Sequence, residues 1–134
     1  MWVASWQMEC CGDPFAVGDR VEWTAVDTDD EWFAAALGPE MAGRITHSEE
    51  HHDDGREGLL HISGVVVSIA QAWCAYGPQG PDSRVRYPIT GTAKFVNVRD
   101  DTIPDGRAFP DLHFNGWVVV LLSLIHISEP TRPY

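Results

Sequence analysis

The chain has 134 residues, and its 20 acidic side chains outnumber nine lysines and arginines to give a formal net charge of −11. This length suits one domain with a modest core. The acidity and the lack of a lysine or arginine cluster argue against nucleic-acid binding, because phosphate backbones attract basic surfaces. The apolar run at residues 117–127 is much shorter than the roughly 20 residues that a membrane-spanning helix needs, so a membrane anchor is not expected either.

Alternating apolar side chains predict two strands in the first part of the chain. Residues 2–8 have the composition of a strand, and residues 20–25 alternate more clearly, with Val21, Trp23 and Ala25 on the inward face. Turns at glycine, aspartate and proline separate these strands.

A short helix is predicted over residues 31–37. Asp29 or Asp30 suits its N-cap, since an aspartate side chain accepts hydrogen bonds from the first turn. Gly38, followed by proline, ends the helix.

The rest of the chain reads as strands joined by polar or glycine- and proline-rich loops. Gly64 either divides the longest apolar stretch into two strands or marks a bulge. The predicted strands are residues 41–46, 59–76, 85–88, 92–98 and 113–121, and the predicted loops are residues 48–58, 77–83 and 99–111.

Short strands, frequent turns and little helix predict a mainly β fold, namely a small SH3-like or related barrel or sandwich with at most one or two short helices. Residues 17–23, with the sequence Val-Gly-Asp-Arg-Val-Glu-Trp, are a common opening of SH3-like barrels. Residues 1–121 are expected to form this single domain, truncated at its C-terminus.

Residues 122–134 resemble foreign sequence. Residues 122–132 read Leu-Ser-Leu-Ile-His-Ile-Ser-Glu-Pro-Thr-Arg, which is the translation of a transposon-type sequencing adapter. We therefore expect a non-native tail here that is not part of the natural domain. Because residues 117–121 are apolar and β-branched, we also expect the tail to extend the last strand across Leu121 and Leu122.

A family resemblance lies mainly near the start of the chain. Residues 6–15 read Trp-Gln-Met-Glu-Cys-Cys-Gly-Asp-Pro-Phe and precede Val17, Gly18, Asp19, Val21 and Trp23. This pattern resembles an uncharacterised family of small actinobacterial proteins, a domain of unknown function, over residues 1–121. The resemblance implies no activity and no functional residues.

One candidate site is a zinc centre formed by Cys10, Cys11, His51 and His52. Thiolate and imidazole are the ligands that zinc prefers, and residues 51–52 would have to fold back over the first turn. The alternative is a buried thiol next to a thiol at a turn, with the histidines in a solvated loop, because adjacent cysteines rarely reach one ion.

A second candidate site is an aromatic surface formed by Trp6, Trp32 and Phe33. Aromatic side chains line many peptide-binding grooves, although they also fill cores. Three other tryptophans lie in predicted strands and are expected in the core, namely Trp23, Trp73 and Trp117.

No catalytic motif is found in the sequence, so an enzyme is not the favoured hypothesis. The best hypothesis is a non-catalytic binding module with a protein or peptide partner and no cofactor, and the alternative is the zinc-binding protein.

The odd set of Cys10, Cys11 and Cys74 forms no even disulfide framework, and residues 1–15 lack a secretory signal. Both features favour the cytoplasm.

Overall fold

The computed structural model of the chain describes residues 1–5, 13–26, 30–49, 60–78, 81 and 84–123, and within these ranges the fold is mainly β. The strands are β1 (Trp2–Ala4), β2 (Arg20–Val26), β3 (Ser48–Glu49), β4 (Leu60–Cys74), β5 (Tyr76–Pro78), β6 (Arg86–Pro88), β7 (Lys94–Val98) and β8 (His113–Ser123). The helices are α1 (Asp30–Leu37), α2 (Pro39–Ala42) and a 3-10 turn (Gly106–Ala108). The predicted fold class, mainly β with little helix, is confirmed.

The main sheet closes on itself. Its strand order is β2-β3-β1-β8-β4-β7, and β2 also pairs with β4. This extra pairing joins the ends of the run from β2 to β4, which gives a barrel-like ring with β7 attached beside β4. The pair of β1 and β3 is parallel, whereas the other pairs in the sheet are antiparallel. Strands β5 and β6 form a separate hairpin.

Strand β4 is the longest strand, and it runs unbroken through Gly64. A break or bulge at Gly64 is therefore not observed. The glycine pairs with Val21, and a Cβ there would lie 3.2 Å from Cβ of Leu121 in β8. Glycine thus permits the close approach of β8 rather than marking a break.

The helix prediction is confirmed, but the strand predicted over residues 41–46 is wrong. Helix α1 ends at Leu37, and Gly38 has a φ of 83°, which redirects the chain. Pro39 then occupies the first turn of α2, where its fixed φ and missing N–H suit a helix start. Part of the loop predicted over residues 48–58 is also strand, since Ser48 and Glu49 form β3.

Two hydrophobic cores lie on opposite faces of the sheet. We call them the inner core, which the closed strands surround, and the outer core, which lies between the sheet and helix α1. The inner core contains Val3, Phe15, Val66, Ile69, Trp117 and Val119. The outer core contains Trp2, Phe33, Ala36, Leu37, Ile45, Ala72, Cys74 and Val118.

Strand β8 supplies side chains to both cores in alternation. Trp117 and Val119 lie in the inner core, whereas Val118 lies in the outer core, because successive side chains of a strand point to opposite faces. The predicted burial of Trp73 and Trp117 is confirmed, and Trp23 is partly buried against the inner core. Strand β8 also continues across Leu121 and Leu122, as predicted.

Candidate binding surface

The four residues of the predicted zinc centre, Cys10, Cys11, His51 and His52, lie outside the described residues. Within the described ranges, no group of three or more histidine, cysteine, aspartate or glutamate side chains is close enough to hold a metal ion. The zinc hypothesis therefore stays a prediction.

Two residues of the predicted aromatic surface lie together beside β1. Trp32 and Phe33 contact each other with ring centroids 5.3 Å apart, and Trp2 of β1 lies 5.7 Å from each of them. We call Trp2, Trp32 and Phe33 the aromatic cluster. The third predicted residue, Trp6, lies outside the described residues.

The geometry of α1 gives its two aromatic residues different exposures. Consecutive helical residues project about 100° apart, so Trp32 and Phe33 cannot both face the sheet. Phe33 is buried with Ala36 and Leu37, which follow at the spacing of one helix face. Trp32 lies beside this face and is half-buried. Of the three rings, Trp32 is therefore the one that a partner can reach, while Trp2 and Phe33 support it from the core.

The chain next to Trp32 is strongly acidic. Asp27, Asp29, Asp30 and Glu31 are four of the five residues that precede the tryptophan. Glu31 is exposed in the first turn of α1. Carboxylates at this end of a helix interact favourably with its dipole, so the charge can accumulate at little cost to the helix. The sequence before the half-buried ring of Trp32 is thus rich in groups that attract a cationic ligand.

A buried polar network lies elsewhere at the edge of the outer core. The Tyr76 hydroxyl donates to Asn115 Oδ1 over 2.6 Å, and Asn115 Nδ2 donates to Cys74 Sγ over 3.2 Å. The ring of His113 packs edge-on against Tyr76 with centroids 5.3 Å apart.

The electrostatics of this network do not suit nucleophilic catalysis. Burial raises the pKa of the Cys74 thiol, against the opposing effect of its hydrogen bonds. Burial, followed by the proximity of Cys74, raises the pKa of Tyr76 to about 12. A reactive cysteine needs a lowered pKa and access to solvent, whereas Cys74 is fully buried. The network therefore stabilises the fold rather than supplying a nucleophile.

Two β-bulges between β4 and β8 place unpaired residues at distinctive positions. The register shifts leave Val67 without a partner in β8 and Asn115 without a partner in β4. A bulge can redirect a side chain, and here Asn115 reaches back to Cys74. No motif in the sequence points to Tyr76 or Asn115 as functional residues. The one feature of the sequence that could have indicated Asn115 is a polar asparagine within the apolar strand predicted over residues 113–121.

A second exposed surface is apolar. Val67 and Val120 are 52% and 51% exposed on the neighbouring strands β4 and β8. Leu122 is 53% exposed nearby but belongs to the segment predicted to be adapter-derived. Single exposed aliphatic side chains are common on protein surfaces. We therefore favour the aromatic cluster as the binding surface.

Comparison with known proteins places the chain in a family. Residues 1–123 match the "Family of unknown function (DUF6578)". The chain belongs to this family. No curated protein and no solved structure matches it. In the part of the chain that the structure describes, no helix is long and apolar enough to cross a membrane.

Proposed function

We propose that this chain is a non-catalytic binding module that holds a basic peptide segment of a partner protein at the aromatic cluster. The observation that supports this function best is the half-buried ring of Trp32, packed against the buried rings of Trp2 and Phe33. The rest of the proposal follows from the chemistry of an indole beside carboxylates.

A tryptophan whose ring is held in place by neighbouring side chains can contribute strongly to binding affinity. Tryptophan is enriched among the side chains that contribute most to interface affinity. Because Trp2 and Phe33 already restrict the ring of Trp32, little rotamer freedom is left to lose when a partner binds. The site is thus preorganised before the peptide arrives.

Charge favours a basic partner. An arginine or lysine can stack on an indole face through a cation–π interaction, which contributes about 0.5–2 kcal/mol. The acidic residues before Trp32 and the net charge of −11 would attract the same groups and raise the rate of encounter. An acidic peptide would be repelled by both features.

We also propose finer assignments for the frame and the compartment. The antiparallel pairing of β1 with β8 and the closed ring support an SH3-like frame. The free thiol of Cys74 supports a reducing compartment such as the cytoplasm.

A peptide-binding experiment tests the proposal. A fluorescent peptide with alternating arginine and leucine is titrated into the full chain, followed by anisotropy, beside a matched peptide with glutamate in place of arginine. We expect the basic peptide to bind, with weaker binding at higher salt. Trp32→Ala should lose about 2 kcal/mol of binding, roughly thirtyfold in Kd.

The control variant is Ile89→Ala, because Ile89 is 45% exposed but is not part of the aromatic cluster. It should bind like the unmodified chain. Circular dichroism and urea unfolding confirm that both variants are folded. Equal affinity for the acidic and the basic peptide, or unchanged binding by a folded Trp32→Ala chain, would refute the proposal.

A further inference from the structure

Strand β8 contains an asparagine followed directly by glycine, Asn115 and Gly116. In flexible chains this dipeptide loses the side-chain amide readily, because glycine leaves its own main-chain nitrogen unhindered. We infer that Asn115 is a latent deamidation site, which the packing of β1, β4 and β8 keeps unreactive and which opening of these strands activates.

Deamidation begins with an intramolecular step that forms a cyclic imide, and water takes part only when this imide is hydrolysed. The main-chain nitrogen of Gly116 loses its proton and attacks Cγ of Asn115, so that a new N–Cγ bond forms. The Cγ–Nδ2 bond breaks, and the nitrogen leaves as ammonia with the proton, which gives a cyclic imide. Water then opens the imide at either carbonyl. Opening at Cγ gives aspartate, whereas opening at the main-chain carbonyl gives isoaspartate.

The native geometry opposes the first step. Strand β8 is paired with β1 at Gly116 and with β4 on either side of Asn115. These pairings restrict the main-chain rotations that would bring the Gly116 nitrogen to Cγ of Asn115. Both side-chain atoms of the amide are also engaged, since Oδ1 accepts from Tyr76 and Nδ2 donates to Cys74. Asn115 is only 8% exposed, so the leaving ammonia and the incoming water have little access.

The fold requires both members of the labile pair. Gly116 has a φ of 151°, and a Cβ at this position would lie 2.2 Å from the carbonyl oxygen of Val3. No other residue fits there without moving β1. Asn115 in turn makes side-chain hydrogen bonds to both Tyr76 and Cys74. The protein therefore keeps a reactive dipeptide and protects it by folding.

Deamidation would make a transient opening permanent. An aspartate would place a carboxylate where Asn115 now donates to Cys74, and burial of such a charge is costly without a matching donor. An isoaspartate would lengthen the main chain beside the bulge and disturb the pairing of β8 with β1. Either product hinders the strands from packing together again. The fraction of deamidated chains should therefore increase with the frequency at which these strands separate.

Mass spectrometry of the full chain tests the inference. The chain is incubated at mildly alkaline pH, folded in buffer or unfolded in urea, and the peptide that contains Asn115 is followed for replacement of the amide by an acid. We expect deamidation to be slower in the folded chain by more than about tenfold, because reaction requires local opening. Asn97, which is exposed but precedes Val98, is an internal control and should react slowly in both states.

Tyr76→Phe removes the hydroxyl that donates to Asn115 and should accelerate the reaction about threefold in the folded chain, because one hydrogen bond that holds the amide is lost. Val66→Ala is the control, because it lowers stability without touching the network. The deamidation rates of the two variants are compared under conditions in which their free energies of unfolding are equal. Equal rates for Asn115 in the folded and unfolded chain would overturn the inference. Equal rates for the two variants would overturn the protective role of the side-chain network.

Discussion

The inner and outer cores differ in how completely they are enclosed. Val3, Ile69 and Trp117 of the inner core are at most 1% exposed, because strands surround them. The outer core lies under helix α1, and its buried residues are up to 9% exposed. Partly exposed side chains border both cores, and those next to the outer core form its margin. That margin contains Ala4, Trp32, Met41, Ala42, Tyr76 and Phe95. The difference indicates that the closed ring holds the fold together, while the helix-covered face offers aromatic surface that a partner can reach without opening the sheet.

The largest expected effect compares one phenylalanine from each core. Phe15 and Phe33 are 2% and 5% exposed, so their burial is closely matched. We expect Phe15→Ala to lower the free energy of unfolding by about 4 kcal/mol and Phe33→Ala by about 3 kcal/mol. A helix can move to fill part of a cavity, whereas a closed ring of strands adjusts less. Urea unfolding measures both values.

If either alanine variant fails to fold, the pair Phe15→Leu and Phe33→Leu makes the same comparison with smaller cavities. A greater loss at Phe33 than at Phe15 would contradict the view that the inner core is the less adaptable of the two.

The second prediction concerns the position where β1 meets β8. Gly116→Ala should cost about 2–3 kcal/mol, because the new Cβ would collide with the backbone of Val3 and because the φ of 151° is strained for alanine. Displacement of β1 would loosen both cores, since Val3 belongs to the inner one and Trp2 to the outer one. Thermal unfolding followed by circular dichroism measures the change.

Gly106→Ala is the matched control for this substitution. A Cβ at Gly106 would have no neighbour within 4 Å, and we expect its effect to stay within about 0.5 kcal/mol. Similar losses at the two glycines would show that the close approach of β1 is unimportant.

The smallest expected effect lies at the margin of the outer core. Tyr76→Phe should cost about 1 kcal/mol at neutral pH, because it removes the hydrogen bond to Asn115. The pKa of Tyr76 is raised from 10.0 to about 12, so the folded state favours the neutral phenol. This contribution to stability is fully present below pH 10 and is lost as the pH rises through about 12.

Urea unfolding at several alkaline pH values tests whether the free energy of unfolding falls as the pH rises. Stability of the unmodified chain should fall across the interval, and the part of the fall that is due to Tyr76 should be absent from Tyr76→Phe. Identical pH profiles for the two chains would contradict the assignment of the raised pKa to this buried phenol.

Local patterns predicted the elements whose side chains alternate clearly or whose ends are marked. Strand β2 follows the inward series of Val21, Trp23 and Ala25, and helix α1 ends before Gly38, as expected. The wrong strand over residues 41–46 shows the limit of such patterns. A short apolar segment fits a helix or a strand equally, and the decisive feature was Pro39 at the start of a turn.

The features that local sequence patterns did not predict depend on contacts between residues far apart in the chain. Asn115 and Cys74 are 41 residues apart, and only the register of β4 with β8 brings them together. The contact of Trp32 with Phe33 follows from their adjacency, but the support from Trp2 depends on β1 lying beside α1. The closure of the ring through β2 and β4 is a property of pairing partners, which hydrophobic periodicity does not specify.

The alternation along β8 also restricts how this family can change over time. Because Trp117 and Val118 serve different cores, insertion or deletion of a single codon before them would send each side chain to the opposite face. An indole would then enter the space of a valine under α1. Length changes in this gene should therefore concentrate in its loops rather than in β8, where an extra residue fits only at a bulge such as the one at Asn115.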